Sequence, residues 1–313
     1  MTGWTEADIP SQHGRLAVVT GATGATGGIG YETAFALARH GAEVVLASRN
    51  DRKGAAALQR IRAAHPGAGV SFESLDLGSL RSVAACAERL LAAGRGIDVL
   101  VNNAGIMALP HRQETEDGFE RQFGTNYLGH FALTARLLPL LRGRKARVVN
   151  VSSLASWQGA IGRDGMPEGG GYAPMRDYAH SKLAMLMFAL ELQRRSDAGG
   201  WGLLGIAAHP GWARTDIIAN GPAGDGRVRG LWRVAELLAP VLGQSASAGA
   251  RPILFAATAP DAAGGGYYGP SGMFLSGPPA PTRLPPQARD AATAASLWDA
   301  SQRLTGVVFG DGA

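Results

Sequence analysis

Tyr178 and Lys182 stand four positions apart in Tyr178-Ala179-His180-Ser181-Lys182, directly ahead of the apolar run Leu183 to Leu190. That run meets no polar residue before Glu191 and Gln193, which predicts the start of a long buried helix. Residues four apart on a helix lie one turn above each other, so the phenol and the ammonium project together. A neighbouring cation favours the phenolate, and the spacing predicts a Tyr178 pKa below the ordinary value of about 10. A phenol tuned in this way can give or take a proton near neutral pH. The pair by itself is common on helices, so its meaning depends on what the rest of the chain brings to it.

A glycine-rich stretch supplies a second chemistry. Leu16-Ala17-Val18-Val19-Thr20 is a short apolar run that suits a strand buried on both faces of a parallel sheet. It leads through Gly21-Ala22-Thr23-Gly24-Ala25-Thr26-Gly27-Gly28-Ile29-Gly30 into a helical stretch from Tyr31 to His40. Glycines let the backbone approach a pyrophosphate, and the free N–H groups and dipole of the helix N-terminus attract it. A second strand, Glu43 to Ala47, ends in Ser48-Arg49-Asn50. An NAD-binding unit offers an acid to the adenosine ribose at this place. A neutral residue followed by an arginine suits a 2′-phosphate instead, so the expected cofactor is NADP(H) rather than NAD(H). Asp51 is expected to cap the next helix, Arg52 to Ala64.

The elements that must position these groups alternate along the chain. Val70 to Leu75 reads as a strand ending at Asp76-Leu77, followed by a helix from Ser79 to Leu91. Asp98 to Val101 is the next strand and runs into Asn102-Asn103-Ala104-Gly105, and a long helix over about Phe119 to Leu141 carries Asn126. Arg147 to Val151 delivers Ser152-Ser153 at its carboxyl end, and the strand Leu203 to Ala208 leads to His209-Pro210-Gly211. This alternation predicts an α/β, Rossmann-type doubly wound parallel sheet with ligands at the carboxyl ends of its strands. Every polar motif named here lies at such an end.

Composition narrows the alternatives. The 313 residues are 46% hydrophobic and 18% charged, which fits a globular protein with a substantial core. One cysteine, Cys86, excludes an intramolecular disulfide and a cysteine-based metal site. The seven histidines are scattered without ligand spacing, so no metal is expected. A net charge of +5 invites a nucleic-acid reading. The basic residues are dispersed, however, and the one dense run, Arg142 to Arg147, falls between a helix and a strand with no recognition motif beside it. The start, Met1 to Gln12, lacks a signal-peptide core, and no apolar run reaches the ~18 residues of a membrane span. A cytoplasmic location is the resulting expectation.

Together these residues resemble the short-chain dehydrogenase/reductase family over roughly Arg15 to Thr215. The matching parts are Thr23-Gly24 to Gly28-Ile29-Gly30, Asp76-Leu77, Asn102-Asn103-Ala104-Gly105, Asn126, Ser152-Ser153, Tyr178 with Lys182, and Pro210-Gly211 with Thr215. Ala47 to Asn50 and Tyr178 to Ala184 look most like the branch of retinol-dehydrogenase-like and WW-domain-oxidoreductase-like proteins, in their dehydrogenase portion only. The resemblance implies that Tyr178 exchanges a proton with the substrate oxygen while the nicotinamide exchanges a hydride. It implies that Lys182 lowers the Tyr pKa and holds the nicotinamide ribose, and that Ser153, the second of its pair, hydrogen-bonds the substrate oxygen. Asn126 would position a water in a relay to Lys182. Asp76 with Leu77 would meet the adenine, and Asn103-Ala104-Gly105 would pass the ribose. Pro210, Gly211 and Thr215 complete the implied cofactor contacts. Asn102 bridging strands and Thr215 capping a helix are the structural alternatives.

Two departures from the family pattern stand out. Gly-Ala-Thr occurs twice in succession, so the glycine loop is longer than the family's. A motif beginning at Thr23 spaces Gly24, Gly28 and Gly30 correctly and is the favoured register. If Thr20-Gly21 keeps its place instead, the excess bulges towards the pyrophosphate. The second departure is the stretch 154–177 between Ser153 and Tyr178, about twice the common length. It reads as a surface excursion near the site's mouth, either a substrate-contacting lid or inert.

Met107, Leu109, Trp157, Ile161 and Tyr172 lie close to the expected pocket, with Trp212, Ile217, Ile218, Leu231, Trp232, Leu237 and Leu238 beyond it. The expectation is therefore an oxidoreductase for a bulky, largely apolar ketone or aldehyde and its alcohol. The rival reading is an NADP-binding sensor of the same fold with little turnover. The expected organisation is a polar lead (1–14), a dehydrogenase domain (15–274, with a substrate flap at 211–245) and a C-terminal Pro-rich strap and short helix (275–313). A homo-oligomer paired through the Asn126 and Tyr178 helices is the assembly the resemblance offers.

Overall fold

A computed structural model describes residues 3–24, 28–212, 244–272 and 275–310. Eight strands form one sheet in the order β3-β2-β1-β4-β5-β6-β7-β8. They are β1 (Leu16–Thr20), β2 (Glu43–Ser48), β3 (Val70–Ser74), β4 (Val99–Asn102), β5 (Arg147–Val151), β6 (Leu204–Ala208), β7 (Tyr267–Gly272) and β8 (Ser276–Pro281). All neighbours pair in parallel except β7 with β8. β1 and β4 are buried at every position, which is why they read as unbroken apolar runs rather than alternating ones. The chain reverses its strand order between β1 and β4, and the crevice beyond their carboxyl ends is where a doubly wound sheet binds its ligand.

Helices cover both faces. On one side lie α1 (Ile29–Arg39), α2 (Asp51–Ala64) and α6 (Ala246–Thr258), which bury Leu37, Ile61 and Leu254 against the sheet. On the other lie α3 (Leu80–Ala92), α4 (Gly129–Leu141), α5 (Pro174–Gly199) and α7 (Ala291–Thr305), which bury Val83, Leu133, Leu186 and Leu297. α5 has Pro174 at its first turn, where a missing N–H costs nothing, and stops at Gly200 in the left-handed conformation. Asn50, not Asp51, caps α2: its side chain accepts the Lys53 N–H at 2.9 Å, and Asp51 is the first helical residue.

The helix expected over Phe119 to Leu141 is interrupted. A helical turn, Arg121–Phe123, passes into a π turn, Gly124–Leu128, before α4 begins. Asn126 sits in that π turn, a feature that often marks function. The C-terminal region also differs from the strap expected of it. Its Pro-rich run forms β8, the antiparallel edge strand, a place where missing N–H donors are tolerated. α7 then packs Trp298 on Phe131 of α4 at 5.1 Å and on Phe188 of α5 at 5.8 Å between ring centres. Part of the α4/α5 surface offered for pairing is thereby covered by the chain's own C-terminal helix.

Candidate active site

Ser153, Tyr178 and Lys182 meet at the carboxyl end of β5. Ser153 caps the 3-10 turn Leu154–Gln158, and its hydroxyl is the hydrogen-bonding neighbour that draws the Tyr178 pKa down. The Ser152 hydroxyl donates instead to the Lys182 carbonyl at 2.7 Å, which tethers β5 to α5 and leaves Ser153 as the serine beside the phenol. Lys182 Nζ donates to the Val151 carbonyl at 3.0 Å and lies 5.8 Å from the centre of the Tyr178 ring.

The pKa of Tyr178 runs opposite to the sequence expectation. Burial pushes the phenol up to about 12, and the Ser153 hydrogen bond only partly opposes this. Burial also pushes Lys182 down to about 8. The spacing brings the two side chains together, but desolvation dominates both shifts.

Asn126 reaches the site through a clamp on the segment after β4. Its Oδ1 accepts the Ile106 N–H at 2.8 Å, and its Nδ2 donates to the Ile106 carbonyl and to Ser181 Oγ, each at 2.9 Å. A Cβ on Gly105 would stand 3.3 Å from Asn126 Oδ1 and 3.5 Å from Lys182 Nζ, so the backbone passes close to both groups and a side chain would press on the Asn126 amide. Asn102 bridges strands, with Nδ2 donating to Asn150 Oδ1 at 2.8 Å and Thr134 Oγ1 at 3.0 Å.

The glycine loop takes the register that spacing disfavoured. Gly21, at φ +69°, turns the chain at the end of β1, and a Cβ there would stand 2.8 Å from Ala104 Cα. Thr20 Oγ1 accepts the N–H groups of Asn103 at 2.9 Å and Ala104 at 3.0 Å, and Asn103 Nδ2 donates to the Thr20 carbonyl at 2.8 Å. The strand end therefore belongs to Thr20-Gly21, and the additional residues follow it. Thr23 is turned towards β2, its hydroxyl 3.0 Å from Ser48 Oγ, and the Gly24 carbonyl meets Arg60 of α2 at 3.4 Å. Residues 25–27 of the loop lie outside the described residues.

The chain's groups fit a dinucleotide. Gly28 caps α1 without a side-chain bond, so among the described residues no capping side chain occupies the anion-attracting end of the helix. A Cβ on Gly30 would collide with the Asn103 amide, so this glycine is needed for the helix to approach β4. Ser48 and Arg49 stand at the end of β2, with Arg49 exposed, while Asn50 is engaged in capping. Asp76 Oδ1 accepts the Gly78 N–H at 2.9 Å, and Leu77 is buried against Gly129. Gly211 takes φ +67°, and the Pro210 carbonyl accepts from Gln244 Nε2. Thr215 and the apolar residues from Ile217 to Leu238 lie outside the described residues.

The excursion is docked, not loose. Gln287 closes two hydrogen bonds on Ile161, at 3.0 and 2.9 Å, Ile161 bridges Pro167, and the Ala160 N–H donates to His180 Nδ1 at 2.9 Å. Ile161 is buried in the core, whereas Trp157 is exposed. Sequence reasoning missed Thr20, Gln122 and His130. The one signal was the place of Gln122 and His130, four residues either side of Asn126.

The family profile described as short chain dehydrogenase matches residues 15–224. The chain belongs to this family, on its retinol-dehydrogenase-like branch, and its class is that of oxidoreductases acting on an alcohol/carbonyl pair. It is 40% identical over 308 residues to polyprenol dehydrogenase of Mus musculus, covering 97% of this chain and 87% of that one. It is 37% identical over 310 residues to retinol dehydrogenase 13 of Homo sapiens, again over 97% of this chain and 87% of the relative. A crystal structure of an uncharacterized protein from Mycobacterium paratuberculosis is 41% identical, with TM-score 0.79 over 99% of this chain and all (100%) of that one. A structure assigned as an NAD(P)-dependent gluconate 5-dehydrogenase from Beutenbergia cavernae, with bound NADP, is 30% identical. Its TM-score is 0.59, over 80% of this chain and 92% of that one.

Proposed function

We propose that this chain is an NADP(H)-dependent oxidoreductase that interconverts a bulky, largely apolar ketone or aldehyde and its alcohol. The observation that carries the reading is the convergence of Ser153, Tyr178 and Lys182 beside Gly105, whose neighbour Ile106 is clamped by Asn126. NADP(H), when bound, supplies the hydride donor or acceptor. Tyr178 holds its proton at neutral pH, so as folded it is an acid that donates to a carbonyl oxygen in the reducing direction. Ser153 orients that oxygen and, through its bond to the phenol, lowers the cost of proton release. Lys182, held by the Val151 carbonyl, keeps a positive charge near the forming alcohol. Ser48 and Arg49 at the end of β2 favour a 2′-phosphate over a bare ribose. The names of the relatives specify polyprenol and retinol, both apolar alcohols, in keeping with the apolar substrate that Met107, Leu109 and Trp212 suggest in the sequence.

Fluorescence titration with NADPH and with NADH, followed by turnover of apolar aldehydes, tests the reading. Saturable binding that prefers NADPH, with aldehyde-dependent oxidation of it, is expected. Absence of binding to either nucleotide would refute it.

A further inference from the structure

Among the described residues, one buried amide not used by the chemistry is fully engaged. Gln122, in the turn ahead of Asn126, is 0% exposed. Its Oε1 accepts the Ala108 N–H at 2.6 Å, while its Nε2 donates to the Pro174 carbonyl at 3.0 Å and to Tyr172 Oη at 3.2 Å. Tyr172 in turn donates its hydroxyl hydrogen to the Leu109 carbonyl at 2.6 Å. Four separate segments are thus pinned at one point: the loop after β4, the turn before Asn126, the excursion, and the first residue of α5.

The loop so held is the one that leaves the catalytic lysine. Gly105 lies beside Lys182 Nζ, Ile106 is gripped by Asn126, and Ala108 and Leu109 are gripped by Gln122 and Tyr172. Ala108 takes φ +49°, a left-handed conformation that is costly for a residue with a Cβ. Such strain persists only where neighbouring contacts over-determine it, and the Gln122 bond to the Ala108 N–H is that contact. Tyr172 comes from the lengthened stretch before Tyr178, so the excursion does more than cover surface.

We propose that Gln122 and Tyr172 are positioning residues for substrate selectivity: they fix the 106–109 loop that continues from Gly105 beside Lys182 Nζ, and through it the side of the site that meets the substrate's apolar tail. The 154–177 excursion is thereby a specificity element. This rests on the reading of the site as one for bulky carbonyl compounds. The bond from Tyr172 holds across the working pH range, because burial and the nearby Glu120 and Asp177 keep the phenol protonated.

The test compares the unmodified chain with Tyr172→Phe and Gln122→Met in NADPH-dependent reduction of straight-chain aldehydes from butanal to dodecanal. Loss of the two bonds of the Tyr172 hydroxyl, or the three of the Gln122 amide, is expected to change the dodecanal-to-butanal ratio of kcat/KM by about fivefold or more, through KM for the long aldehyde. A ratio that stays constant in both variants would overturn the selectivity role. Amide hydrogen exchange of residues 106–109 is read on the same proteins without substrate, and should speed up about tenfold in both variants. Unchanged exchange would overturn the clamp whatever the chain turns over. If exchange accelerates but the unmodified chain reduces no aldehyde in the series, the substrate reading falls, and the selectivity role with it, while the clamp stands.

Discussion

Thr20 Oγ1 lies 2.9 Å from His130 Nε2, and this pair ties the end of β1 to the turn that carries Asn126. A carbonyl can only accept, so His130 Nδ1 donates to the Asn126 carbonyl at 2.8 Å and Nε2 must accept from the Thr20 hydroxyl. The Thr20 oxygen is then free to accept the Asn103 and Ala104 N–H groups. One chain of bonds joins the nucleotide crevice to the proton-handling side.

Thr20→Val keeps the shape and removes the hydroxyl. It leaves His130 Nε2 and the Ala104 N–H without a partner, while the Asn103 N–H keeps the Val101 carbonyl at 3.0 Å, and this should cost about 2 kcal/mol. Urea unfolding measures that loss, and NADPH affinity should fall with it because Asn103 to Gly105 lose their anchor. Unchanged stability would show that water replaces the hydroxyl.

Acid should destabilise the fold earlier than its carboxylates alone require. Burial pushes His130 down to about 3 and His209 down to about 4, so both are neutral in the folded chain, whereas unfolded histidine titrates near 6.5. Their contribution is complete above pH 6.5 and is lost as pH falls through 6.5 towards these folded values. At pH 5 the loss should be about 2 kcal/mol for each. Urea midpoints at pH 7.5 and pH 5 check it, and equal midpoints would contradict two buried neutral rings.

Tyr178→Phe removes the proton donor with little change of shape. Turnover should drop by roughly 10²- to 10⁴-fold while NADPH affinity stays near that of the unmodified chain. Ser153→Ala should lower the rate less and raise the Tyr178 pKa further, since the one hydrogen bond that opposes burial is gone. A rate retained in Tyr178→Phe would remove the phenol from the mechanism.

The doubly wound parallel sheet and the placing of Ser153, Tyr178 and Lys182 were legible because each follows from a local pattern: apolar runs, a four-residue spacing, a strand end. The pKa direction of Tyr178 was not, because spacing reports the neighbour but not the depth of burial. The glycine-loop register was misread because Thr20 is chosen by Asn103 and Ala104, far along the chain, and a repeated Gly-Ala-Thr satisfies either spacing. The prolines of β8 hid an edge strand, since a missing N–H is disqualifying only inside a sheet. Gln122 looked like one more polar residue in a helix until Tyr172 and Ala108 were brought to it.

Gly30→Ala tests the approach of α1 to β4. A Cβ there would collide with the Asn103 amide and stand 2.7 Å from the Gly21 carbonyl oxygen, a backbone atom that cannot swing aside. The helix would have to retreat, opening the loop that Gly28 and Ile29 help to shape. Overpacking of this kind costs about 1–3 kcal/mol, and NADPH binding should weaken more than the thermal stability alone accounts for. Intact binding with lowered stability would separate the packing role of Gly30 from the nucleotide.

Arg49→Asp tests the cofactor preference. Arg49 is exposed at the end of β2, beside Ser48, where an acid would serve a ribose and a cation serves a 2′-phosphate. Charge-assisted hydrogen bonds to a phosphate contribute about 1.5–3 kcal/mol, and the aspartate adds repulsion, so the NADPH-to-NADH affinity ratio should fall by about 100-fold. Separate titrations with the two nucleotides read the ratio directly. The NADH limb should stay constant or strengthen, because an aspartate there can accept from the ribose hydroxyls. An unchanged ratio would move the phosphate-reading role away from Arg49.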